Sequence, residues 1–135
     1  MKRETPMGLS LIICDTMIED KNTGKKSLIG IFDRLASMNF PCMHPTLSVF
    51  VSMTSGRGEY PCEIVCKHKA GEEIAFNAKG KVLMKDPNQV VDIVFNFRNI
   101  KFPSKGVYWL QFLVDDVPVM MRQLTLAQIK PQEAE

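Results

Sequence analysis

A chain of 135 residues, 45% hydrophobic and 24% charged, is long enough for one compact domain. It is too short for a (β/α)8 barrel or a two-domain nucleotide-dependent enzyme. Seventeen Lys and Arg against fifteen Asp and Glu leave a formal charge of +2, which by itself argues for neither a nucleic-acid nor a membrane partner, and a mean hydropathy of −0.05 excludes wholesale disorder.

The first apolar segment, near 9–18, follows Met1-Lys2-Arg3 and invites comparison with a secretory or lipoprotein signal ending at Cys14. Its apolar run is short, Glu4 and Pro6 interrupt the approach, and bulky Ile12 and Ile13 occupy the places where a cleavage site needs small residues. We therefore read it as a strand, apolar on both sides, and expect a cytoplasmic protein. No stretch approaches the ~20 apolar residues of a membrane span, and no Asn-x-Ser/Thr sequon occurs. Asp15 interrupts the run as a structural carboxylate, with Arg34 or Lys26 as expected partners. The alternative, a buried catalytic carboxylate, needs a raised pKa.

A hairpin through Asn22-Thr23-Gly24 leads to the second strand, near 25–33. The string TGKKS within it superficially resembles a phosphate-binding loop, but Glu19 stands where that template requires glycine and no helix pattern follows. The segment ASMNFPCMHP comes next, where two prolines oppose a regular strand. One reading makes it a crossing between sheets with its apolar side chains tucked inward. The other makes Phe40, Met43 and His44 an exposed grip for a partner, as adaptable methionine surfaces can be.

Alternation then dominates. Leu47, Val49, Val51 and Met53 oppose Thr46, Ser48, Phe50 and Ser52 near 46–54, and the Ser55–Glu59 loop that follows carries Arg57. In the strand near 61–69, Cys62 and Cys66 share one face about 13 Å apart at the strand rise. They can neither form a disulfide nor ligate one metal together. Buried thiols are the expectation, and a metal or small-ligand site joining Cys42 and His44 to Cys66 and His68 is the alternative.

Along 73–84, Ile74, Phe76, Ala78, Val82 and Met84 face inward. Outward Lys67, Lys69, Lys79, Lys81 and Lys85 then fall on two successive strands. A hairpin centred on Gly71 sets Lys79 opposite Glu63 and Lys69 opposite Glu73. No aromatic is expected on that face, so a solvated sheet surface that discourages edge aggregation is the expectation, rather than a partner of single-stranded nucleic acid. The next strand, near 89–98, turns Val91, Ile93, Phe95 and Phe97 inward. GVYWLQFLV, within 107–115, is apolar on both sides. Pro103 to Tyr108 has the pattern of a tyrosine corner, and Asp115-Asp116 make a two-residue hairpin into 117–126.

Two strings are distinctive together: Ser27 to Asp33 (Ser-Leu-Ile-Gly-Ile-Phe-Asp) and Phe40-Pro41 with His44-Pro45. With Cys14-Asp15, Gly24-Lys25 and the stretch from Phe102-Pro103 to the final hairpin, they resemble a family of small, uncharacterised bacterial proteins. The resemblance covers nearly the whole chain and implies a β-sandwich. It brings no activity, cofactor or site residue. Lys26 and the methionine-rich 38–43 segment depart from it.

The reading as a whole is one all-β domain over 1–135, an immunoglobulin-like sandwich of about seven to eight mostly antiparallel strands, with frayed tails at 1–7 and 128–135. No nucleophile–base motif appears, and no cofactor is expected. The expected role is a non-enzymatic interaction or structural module that binds a protein or another copy of itself. Its contacts are expected through Phe40, Met43, His44 and Arg57. Cys/His ligand binding comes second and an enzyme of unrecognised type third.

Overall fold

The computed structural model describes residues 4–130. Nine strands follow one another: β1 (Met7–Glu19), β2 (Lys26–Ile31), β3 (Arg34–Ser37), β4 (Cys42–Thr54), β5 (Gly58–His68), β6 (Ile74–Met84), β7 (Val91–Phe102), β8 (Gly106–Val114) and β9 (Val117–Gln128). Every regular element among the described residues is a strand, and no helix among them is long and apolar enough to cross a membrane. One sheet has four strands in the order β2-β1-β4-β7, and the other five in the order β3-β9-β8-β5-β6. All neighbours run antiparallel except β3 and β9, which pair in parallel.

Alternation explains the core. Ile13, Leu47, Val49 and Val51 from the four-stranded sheet meet Ile64, Leu110, Phe112 and Leu124 from the five-stranded one, all essentially inaccessible. Each such side chain contributes about 1.5–3 kcal/mol by leaving water. The Asp115-Asp116 hairpin forms as expected, with φ of 52° and 63° and Val114 paired to Val117. These signs suit a turn whose twist matches the flanking strands. Tyr108 likewise makes its corner, donating to the Ser104 carbonyl at 2.7 Å.

Among the described residues there are nine strands rather than seven to eight, because the prolines interrupt less chain than their number suggests. Arg34–Ser37 pairs with Thr125–Gln128 as β3. The chain then crosses between sheets over 38–41, with a cis Phe40–Pro41 bond, and β4 starts at Cys42. Pro45 is tolerated there because the β4–β7 ladder skips it, passing from His44–Ile100 to Thr46–Arg98, and β1 pairs with β4 only from Ser48 onward. Opposite it, Asn99 takes a left-handed φ of 53°. That single residue reverses the alternation of β7: Val91 to Phe97 turn inward at odd positions, then Ile100 and Phe102 are buried at even ones.

The four-stranded sheet is curled. Its opposite edges meet where Lys26 Nζ, on β2, lies 3.3 Å from Asp92 Oδ2, on β7. The β1–β2 arm therefore crosses the sheet's outward face, which is why Cys14, Ser48 and Ser52 are buried on that side. At the arm's tip the Thr23 and Asn22 amides donate to Asp20, holding its carboxyl below the usual range.

Of the expected frayed tails, residues 1–3 and 131–135 lie outside the described residues. Within them Pro6 is buried, the Tyr60 hydroxyl donates to the Glu4 carbonyl, and the Ile129 amide reaches the Ser37 carbonyl at 3.0 Å.

Candidate functional site

The outward face of the five-stranded sheet is built from alternate residues of β5, β6 and β8. Inward Tyr108, Leu110, Phe112 and Val114 are fully buried, which turns Val107, Trp109, Gln111 and Leu113 outward, where they are half-buried with no further layer of described chain above them. Trp109 pairs in register with Lys67, and Lys69 Nζ stands 5.7 Å from the centre of its ring, within cation–π range. Next to this platform lies a groove of about 370 Å³, floored by Pro61, Gly80 and Leu113 and flanked by Glu63, Lys79, Lys81 and Asp116. The groove combines an apolar floor with charged walls, which is the composition of a docking cleft.

The lysine pattern is partly as expected. Glu63 does pair with Lys79. A register shift between Cys66 and Lys67 undoes the expected pairing of Lys69 with Glu73: the His68 amide bonds to the Glu73 carbonyl instead. Lys81 Nζ lies 3.7 Å from Glu59. The expectation of no aromatic on this face is also corrected, since β8 pairs with β5 from forty residues away and brings Trp109 to it.

Asp15 is exposed, and its partner is His44, whose Nε2 lies 3.0 Å from Oδ1, rather than Arg34 or Lys26. Lys26 instead pairs with Glu19 and Asp92. Gly30, with φ of 71°, makes room for the carboxylate, since a Cβ there would come 2.5 Å from Oδ2. Phe32 packs against the imidazole, ring centres 5.4 Å apart. A polar cleft of about 220 Å³ opens between the arm and the sheet, lined by Asp15, Thr16, Thr46, Ser48, Asn96 and Arg98. The Ser48 hydroxyl is donated to Asn96 at 2.7 Å. Four residues, about 13 Å of strand, separate Ser48 from His44. At that distance Ser48 is out of reach of the Asp15–His44 pair.

Cys42, His44, Cys66 and His68 do not converge, and no three His, Cys, Asp or Glu side chains among the described residues form a metal-sized cluster. His68 is engaged at both nitrogens: Nδ1 accepts from the amides of Ala70 and Gly71 at 3.1 and 3.3 Å, which puts the proton on Nε2, donated to the Lys105 carbonyl at 2.9 Å. Its ring stacks edge-on against Tyr108 at 4.7 Å. All four cysteines are free thiols. Burial pushes Cys66 up to about 12 and Cys62 up to about 11, the latter also under the charge of Asp115; burial raises Cys14 and Cys42 as well.

Of the residues expected to contact a partner, Phe40 packs partly against the core, Met43 is 63% exposed, His44 is held by Asp15, and Arg57 is exposed. The 38–45 and 55–59 segments lie toward opposite ends of β4, with about 33 Å of strand between residues 45 and 55, so they form no common surface. The residues missed by sequence reasoning are Trp109 and Leu113 with the groove beside them. Their signal was the two-sided apolarity of GVYWLQFLV, which accounts for one more apolar face than the core uses.

No curated protein matches the chain. Residues 9–127 match a family of unknown function, DUF6941, and the chain belongs to that family.

Proposed function

We propose that this protein is a non-enzymatic interaction module, a β-sandwich of immunoglobulin-like form working in the bacterial cytoplasm, that docks a protein partner on the outward face of its five-stranded sheet. The observation that carries this reading is β8: Val107, Trp109 and Leu113 turn outward, half-buried and without a covering layer of described chain, beside a groove with an apolar floor. Burying such a patch is the usual use of an exposed apolar face rimmed by polar residues. Phe40, Met43, His44 and Arg57 become secondary candidates, because two of them are engaged within the fold.

Tagged protein captured from host lysate with nuclease, read by mass spectrometry, tests the reading when wild type is compared with Trp109→Glu and Met43→Glu. A stoichiometric protein partner is expected, lost at least tenfold in Trp109→Glu and retained in Met43→Glu, both variants keeping the wild-type melting curve. Loss in Met43→Glu alone would move the working surface to the 38–45 loop. Absence of any stoichiometric partner would end the interaction reading.

A further inference from the structure

Four strands form the edges of the two sheets: β2 and β7 in one, β3 and β6 in the other. Three of these edges are blunted. β3 has only four residues; β2 has six and carries left-handed Gly30; β7 is long but broken by Asn99. Short or kinked edges resist pairing with foreign strands. β6 is different. It runs eleven residues without a positive φ, holds an unbroken register to β5 from Met84 to Phe76, and among the described residues nothing pairs with its far side.

The two rows of side chains beside this edge define what could pair with it. Outward, β6 presents Asn77, Lys79, Lys81 and Leu83, with Lys85 just beyond, and no acid; Glu59 and Glu63 stand one strand further back on β5. Inward, the seam below β6 is formed by β7, whose Val91, Ile93 and Phe97 pack against the core while remaining only half-buried. We infer that β6 accepts an extended acidic peptide as a sixth antiparallel or parallel strand, with carboxylates at alternate positions against the lysine row and apolar side chains at the intervening positions over Phe97 and its neighbours. Main-chain hydrogen bonds supply affinity in such strand addition and alternate side chains supply selectivity. A second copy is a poor occupant, since β6 against β6 sets lysine rows side by side. Nucleic acid is a poor one too, because Glu59 and Glu63 back the lysines and Trp109 lies two strands away. The inference specifies the partner class of the interaction module proposed above and rests on that reading.

The test is fluorescence anisotropy with the whole protein and four labelled peptides of eight residues: alternating Glu-Val, alternating Lys-Val, and two Glu-Val peptides with every second amide N-methylated, one in each phase. Glu-Val is expected to bind at least tenfold tighter than Lys-Val, and one of the two N-methylated phases is expected to lose at least tenfold. In the triple variant Lys79→Glu, Lys81→Glu, Lys85→Glu the preference reverses toward Lys-Val, which shows the variant folded and the edge in use. Equal binding of Glu-Val and Lys-Val overturns the proposal. So does indifference to N-methylation in both phases, which would mean electrostatic attraction to the sheet face, and so does displacement of Glu-Val by oligo-dT. These results leave the face proposal standing or falling separately, because Trp109→Glu lies away from the edge.

Discussion

At the scale of single residues, His68 illustrates how a side chain that looks like chemistry becomes architecture. Its ring accepts from two amides of the β5–β6 turn and donates to Lys105 in the turn between β7 and β8. Gly106 makes that approach possible: with φ of 130°, it leaves room where a Cβ would come 2.7 Å from Nε2. His68→Phe keeps the ring against Tyr108 and removes all three hydrogen bonds. Two of the freed groups can turn to water, so the expected loss is about 1–2 kcal/mol. Thermal melting should move down by roughly 3–10 °C. An unchanged melting temperature would show that the two turns are held by Tyr108 and its neighbours without the histidine.

The hairpin joining β8 and β9 has both aspartates in left-handed geometry, at φ of 52° and 63°. Glycine in the second place relieves that cost, and Asp-Gly is the preferred pair for this turn. Asp116→Gly is therefore expected to stabilise by roughly 0.5–1 kcal/mol, read as a higher urea midpoint at unchanged slope. A lower midpoint would mean that Asp116 holds contacts its backbone geometry does not reveal. Strand identities were readable from sequence wherever alternation was local, as in Leu47 to Met53. Changes of phase were not. Asn99 reverses β7 through one backbone angle, and nothing in Phe97-Arg98-Asn99-Ile100 distinguishes that from a strand ending. Strand neighbours were equally hidden: pairing β8 with β5 brought Trp109 over to the lysines, and pairing β3 with β9 made a strand that runs into the segment expected to be irregular. Asp15 and His44 were each singled out in the sequence, but their meeting depends on β1 and β4 lying side by side.

For the whole molecule, the cysteines couple proton binding to folding. Cys66 and Cys62 sit in the shared core with thiols pushed up to about 12 and about 11 from the ordinary 9.0. Unfolding returns both to water, so above the ordinary value the unfolded chain ionises first and binds fewer protons than the folded one. Stability then falls as pH rises from about 9, and the fall ends only when the folded thiols also ionise, near 11 for Cys62 and 12 for Cys66. Below about 9 neither thiol contributes any pH dependence. Tyr108 adds to the same trend, because burial raises its hydroxyl as well. Urea unfolding at about pH 8 and about pH 10.5 separates the two sources when wild type is compared with Cys62→Val, Cys66→Val. The wild type should lose more stability over this interval than the double variant, and the difference between them belongs to the thiols. Equal losses would mean that water reaches Cys62 and Cys66 in the folded protein, which their burial between two complete sheets argues against.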